Sequence, residues 1–157
     1  DFRSRYVHGS FFELAVAQDK GFDPQCPART FDAILLDIDH SPRALLHQSN
    51  ASFYTVANLA RMSRQLRTGG VFALWSQDPP DSEFMQIMDA VFTRAAAHVV
   101  PFFNPFQNGE ATNTIYVGVK ACIHWRTCLA TAMTARSPPV QNWLDWTSAQ
   151  GRIWCIH

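Results

Sequence analysis

Charge is the scarcest resource in this chain. Thirteen Lys and Arg face thirteen Asp and Glu, the charged fraction is 17%, and the net charge over 157 residues is zero. A neutral chain lacks the basic footprint by which proteins hold nucleic acid or an anionic membrane surface. Long apolar runs are missing too: none approaches the roughly 18 residues that span a bilayer. The start, Asp1-Phe2-Arg3-Ser4-Arg5, has no signal-peptide hydrophobic region. Nor does it begin with Met, so the natural N-terminus is expected upstream. Cysteine is sparse, at positions 26, 122, 128 and 155, a spacing that suits neither a disulfide framework nor paired zinc hooks. Cys122, His124 and Cys128 lack the fourth ligand of a structural zinc site, so no metal is expected. A reducing cytoplasm is the expected setting.

What is present is one strongly organised stretch, Phe31 to Pro42. Its first half, Phe-Asp-Ala-Ile-Leu-Leu, is a nearly continuous apolar run, as in a parallel strand covered on both faces. Its second half gathers Asp37, Asp39, His40 and Ser41 and stops at Pro42. Ligands of open α/β sheets sit outside the carboxyl ends of strands, which makes this an expected active-site edge. The competing reading is that Asp37 and Asp39 only cap the following turn.

The remaining pattern predicts alternating elements. Arg5 to His8 reads as a short strand and Phe11 to Ala17 as a short helix. Asp19 to Thr30, with Gly21, Pro24 and Pro27, reads as a loop. Ser52 to Leu66 reads as an amphipathic helix with Phe53, Val56, Ala57 and Ala60 inward, Asn50 or Ser52 as cap, and Arg61, Arg64 and Arg67 in water. Val71 to Trp75 is a second buried strand. Asp78 to Asp81 turns the chain into a helix carrying Phe84, Ile87, Met88 and Val91. Ala96 to Phe103 and Thr114 to Val119 are strands joined by a loop, expected to pair antiparallel at one edge. The β-α alternation predicts a mostly parallel sheet with right-handed crossovers. Residues 121–157 change character, holding four of the five tryptophans and three of the four cysteines. They are expected to form an unrelated or irregular tail after a domain spanning 1–120.

Val7-His8-Gly9-Ser10-Phe11-Phe12-Glu13-Leu14, Phe31 to Pro42, Phe53-Tyr54 and Leu66-Arg67-Thr68-Gly69-Gly70-Val71-Phe72 together resemble the spermidine synthase (polyamine aminopropyltransferase) family. The resemblance covers about residues 1–120. It implies the C-terminal two-thirds of a Rossmann-like, class I S-adenosylmethionine-dependent methyltransferase fold, with a mostly parallel sheet and an antiparallel edge hairpin. It also implies a chemistry: an amine attacks the aminopropyl carbon beside the sulfonium of decarboxylated S-adenosylmethionine, and methylthioadenosine leaves. A carboxylate must hold the substrate cation and take its proton.

The family's Asp-x-x-Asp-Pro motif places that carboxylate on Asp37. His40 stands at the second Asp, and Asp39 can supply the displaced negative charge, so both are expected to bind substrate. Gly9, Ser10 and Phe11 match the family's adenine-binding Gly-Asp-Gly, with Ser10 replacing the Asp. The family's glycine-rich loop and ribose-binding acid have no counterpart in these residues, so this stretch by itself is expected to be inactive in the transfer. Decarboxylated S-adenosylmethionine or S-adenosylmethionine is therefore expected as a co-substrate rather than a tightly bound cofactor, with a small amine as partner and room for a homodimer. Two alternatives stay open, an S-adenosylmethionine-dependent methyltransferase and a non-catalytic fold remnant. His8 is expected to pack or face solvent, and Trp75 to Asp78 to close the next strand at the same rim.

Overall fold

The computed structural model describes residues 6–17 and 19–121, together with the backbone of 155–156. The element order is α1 (Phe11–Val16), β1 (Phe31–Leu36), a 3-10 helix (Gln48–Phe53), α2 (Val56–Ser63), β2 (Leu66–Ser76), α3 (Ser82–Val91), β3 (Arg94–Asn104), β4 (Gly109–Val119) and a two-residue β5 (Cys155–Ile156). The five strands form one sheet in the order β3-β4-β2-β1-β5.

The mostly parallel, Rossmann-like sheet expected from the β-α alternation is not what forms. Among the long ladders only β1–β2 is parallel, whereas β2–β4 and β3–β4 are antiparallel. β5 adds a two-residue parallel contact to β1. The physical reason lies in β4. It wedges between β2 and β3, so the strand delivered by α3 runs in the same sense as β2 but never pairs with it. The expected β3–β4 hairpin does form, yet its second strand is interior rather than confined to an edge.

Helices α1 to α3 share one face of the sheet. Phe53 bridges Phe11 and Phe72 with ring centroids 5.6 and 6.4 Å away, Phe92 stacks on Phe72 at 5.9 Å, and Phe84 meets Tyr116 edge-on at 4.9 Å. α2 is shorter than its sequence pattern predicts. Phe53 belongs to the preceding 3-10 turn, Thr55 caps α2, and Val56 points into solvent while Leu59 and Met62 face the core. Full burial of side chains this size contributes about 2 kcal/mol each. Segment 6–8 forms no strand. β2 begins five residues earlier than its apolar run, since Leu66 already pairs with Phe31 across an irregular register.

Buried Gln65 ties the lower edge together. Its Oε1 accepts from the Phe22 amide at 2.7 Å, and its Nε2 donates to the carbonyls of Leu14 and Ala15 at 2.9 and 3.0 Å. Those carbonyls end α1 and would otherwise be orphaned. Among the described residues, no helix is long and apolar enough to cross a membrane. The tail expected over 121–157 lies outside the described residues, apart from Ala121 and the β5 backbone.

Gly118 lets the end of α3 pack closely on β4. A Cβ there would lie 2.5 Å from Phe92 Cδ2 and 2.9 Å from Met88 Cε. Gly118→Val should cost about 1–3 kcal/mol through overpacking. Phe92→Ala, itself destabilising, should cost less in the Gly118→Val background than alone. Denaturant melts of the two single variants and the double variant test this, and strictly additive losses would contradict it.

Candidate functional site

β1 delivers its polar residues to the rim of the sheet and then divides them. Pairing stops at Leu36. Asp37 is exposed and makes no hydrogen bond or ion pair among the described residues, and His40 is also exposed. Asp39, two residues on, turns inward to 3% exposure. Its Oδ1 accepts from the Leu46 amide and from Asn50 Nδ2, and its Oδ2 from the Tyr54 hydroxyl, each at 2.8 Å. Burial, reinforced by this carboxylate, pushes the Tyr54 hydroxyl pKa well above its ordinary value. Ser41 is buried as well, and its Oγ accepts from the amides of Arg43 and Ala44 at 3.2 and 2.9 Å. Asp39 and Ser41 therefore organise backbone, while Asp37 and His40 face outward.

The end of β2 lies beside this rim. The Gln77 amide donates to the His40 carbonyl at 2.8 Å, stapling the two loops together. Ser76 Oγ accepts from the Asp78 amide at 3.2 Å, and Thr114 Oγ1 donates to the Asp78 carbonyl at 2.7 Å. With its backbone so fixed, the half-buried Asp78 leaves its carboxylate unpaired among the described residues. A cavity of about 280 Å³ opens here, lined by Ser41, Arg43, Ser76, Asp78, Asp81 and Tyr116 among others.

Asp81 is committed to structure. It caps α3, accepting from the amides of Glu83 and Phe84 at 2.8 and 3.3 Å, and it takes a forked contact from Arg43. Arg43 also reaches Glu83 at 3.1 Å. The hydrogen bond from Arg43 holds the Asp81 carboxyl below its usual range, opposed by burial. The Tyr116 hydroxyl accepts from the Asp81 amide at 2.7 Å, and burial raises its pKa. The capping role of Asp81 is visible in sequence. Its pairing with Arg43, across 38 positions, and with Tyr116 has no local signal.

The residues matched to adenine binding sit at the start of α1. Ser10 is the helix cap, its Oγ accepting from the Glu13 amide at 3.4 Å. Phe11 is a core residue stacked on Phe22 at 5.0 Å, and Gly9 lies against Leu14. A ring chain, Phe12–Phe53–Tyr54, links this helix to Asp39. The Phe11 ring is thus committed to packing, whereas the exposed Ser10 hydroxyl accepts the cap bond and keeps its O–H to donate. Among the described residues no group of three or more His, Cys, Asp or Glu is placed to hold a metal ion. Cys122, His124 and Cys128 lie outside the described residues. Comparison with protein-family models and with curated protein sequences gives no match.

The two β1 carboxylates should respond differently to substitution. Asp39→Asn puts an amide N–H against at least one of the three donors and should cost about 1–3 kcal/mol, or several degrees of melting temperature. Tyr54→Phe should behave similarly. Asp37→Asn should stay within about 0.5 kcal/mol of the parent, as for an exposed, unpaired residue. Thermal melts of the three variants check this, and equal losses at 37 and 39 would contradict it.

Asp81 gives a pH signature. Its carboxyl is depressed in the folded state, so its stabilisation is present above the ordinary value of 3.8 and is lost as pH falls through the lower folded value. Asp81→Ala should cost about 1 kcal/mol at neutral pH through the lost cap. The gap between parent and variant should narrow below pH 3.8. Paired melts across that range test the sign.

Proposed function

We propose that the rim formed by the ends of β1 and β2 captures a small organic amine, and that the reaction it serves is aminopropyl transfer from decarboxylated S-adenosylmethionine in a cytoplasmic setting. One observation carries the reading. Asp37 stands exposed at the end of β1 and unpaired among the described residues, while the neighbouring Asp39 is fully engaged. Asp78, on the loop stapled to His40, presents a second carboxylate unpaired among the described residues. Two carboxylates without cationic partners among the described residues suit a ligand that brings its own positive charge.

The proposed roles follow from protonation. An amine arrives mostly as ammonium and has no lone pair to attack with. Asp37 binds the cation and accepts one proton, freeing the nitrogen. The nitrogen then forms a bond to the aminopropyl carbon as the carbon–sulfur bond breaks, and the electron pair leaves on methylthioadenosine. His40, exposed beside Asp37, sets a polar wall for the amine chain. Asp39 acts at one remove by fixing the path of the chain beneath them, and no nucleotide contact is assigned to Ser10 or Phe11.

1,4-Diaminobutane should bind this chain, with chemical-shift changes centred on residues 37–40 and 77–78, and Asp37→Asn should weaken that binding. In a chain extended upstream to include the glycine-rich loop and the ribose-binding acid, aminopropyl transfer to the same diamine should fall by about 100-fold or more in Asp37→Asn, the scale of a general base. Unchanged binding and turnover in that variant would remove Asp37 from the reaction.

A further inference from the structure

We propose that a second cavity, at the other end of β1 and β2 from the rim, binds a small organic phosphate, a phosphate monoester in its dianionic form. Asp37 and Asp78 lie just past the ends of the two strands. The second cavity, of about 290 Å³, lies where the same strands begin, with Thr30 just before β1 and Gln65 just before β2 in its lining. Its walls are the end of α1, the loop 27–30 and the last turn of α2. The six residues of β1 put roughly 20 Å between the two sites, so a small ligand in one does not reach the other.

Charge selects the ligand. Among the described residues, the ionisable side chains lining this cavity are all arginines: Arg29, Arg61 and Arg64. Asp23, buried behind them, pairs with Arg29 at 3.0 Å and holds that guanidinium in place. Arg61 donates to a neutral group, Asn58 Oδ1, at 3.1 Å, and the Arg64 side chain makes no hydrogen bond or ion pair among the described residues. Three arginines less one aspartate leave two positive charges, which matches the dianion of a phosphate monoester. Arginines near a helix end can also serve its dipole. Here Lys120 already meets that need, its Nζ donating to the carbonyls of Arg64 and Leu66 at 3.4 and 2.6 Å. Arg67, next along the chain, pairs with Asp32 at 2.9 Å and takes no part in the lining.

Shape and donor geometry agree with this. A guanidinium presents a planar fork of N–H groups that meets two phosphate oxygens at once. The Thr30 hydroxyl adds a further donor. The floor is fixed, because the Gln65 amide is fully engaged with Phe22, Leu14 and Ala15. Gly21, at φ 58°, lets the loop close over it: a Cβ there would lie 3.0 Å from both Gln65 Oε1 and the Pro27 carbonyl oxygen. Val16 and Ala17, at the end of α1, offer an apolar wall to the ester's carbon skeleton. The volume is that of a small-molecule pocket.

Glycerol 3-phosphate titrated into the 157-residue chain tests this by amide chemical shifts. It should shift residues 28–30 and 61–65 with millimolar or better affinity, and glycerol should shift none of them. Arg61→Gln and Arg64→Gln should each weaken the binding about tenfold, the scale of a lost hydrogen bond to a charged group. Their melting temperatures should stay close to the parent's, because both side chains are exposed. Arg67→Gln removes the same charge outside the cavity, and at about 0.15 M salt, where a distant charge is screened, it should leave the affinity unchanged. An absence of shifts, shifts centred on 37–40 and 77–78 instead, binding that survives both cavity variants, or equal weakening by Arg67→Gln would each overturn the proposal.

Discussion

A single buried carboxylate determines how this chain is laid out beyond its central strand. Among the described residues Asp39 has no cationic partner. Three donors from the following fifteen residues converge on it instead: a backbone amide, a side-chain amide and a phenol. An ionised group taken out of water survives only with its lone pairs satisfied, so these bonds are obligatory. They fold residues 40–54 back against the end of β1, deliver Phe53 to the aromatic core and set the start of α2. The same turn throws Asp37 and His40 outward.

The apolar logic of the sequence was legible, whereas the destinations of its polar residues were not. β1, the Asp81-capped α3 and the β3–β4 pairing follow from hydrophobic runs and turn chemistry that act locally. The strand order does not. Nothing in residues 109–119 announces that β4 will insert between β2 and β3, and that insertion makes most of the sheet antiparallel. Strand boundaries suffered for a related reason. Gly-Glu-Ala-Thr-Asn at 109–113 has low strand propensity and becomes strand only because β3 pairs with it, a tertiary effect. α2 lost its first turn because the cap is Thr55 rather than Asn50 or Ser52.

At the rim, sequence located the cluster but could not tell its carboxylates apart. Asp37 and Asp39 share a parity, so continued strand would have aimed both the same way. The strand ends at Leu36, and the bend sends one outward and the other in. Ser10 and Phe11 show a similar division, since a position that matches a binding motif serves here as helix cap or core. Motif position assigns a residue a place in the chain, and only burial and partners decide what its atoms are free to do.

Amide hydrogen exchange at Leu46 tests the organising role of Asp39 most directly. Leu46 sits in a segment without helix or strand and is 60% exposed, so among the described residues the Asp39 carboxylate alone holds its N–H. This amide should exchange far more slowly than those of its exposed neighbours His47 and Gln48, and Asp39→Asn should abolish the difference. Exchange at Leu46 as fast as at those neighbours in the parent protein would contradict it.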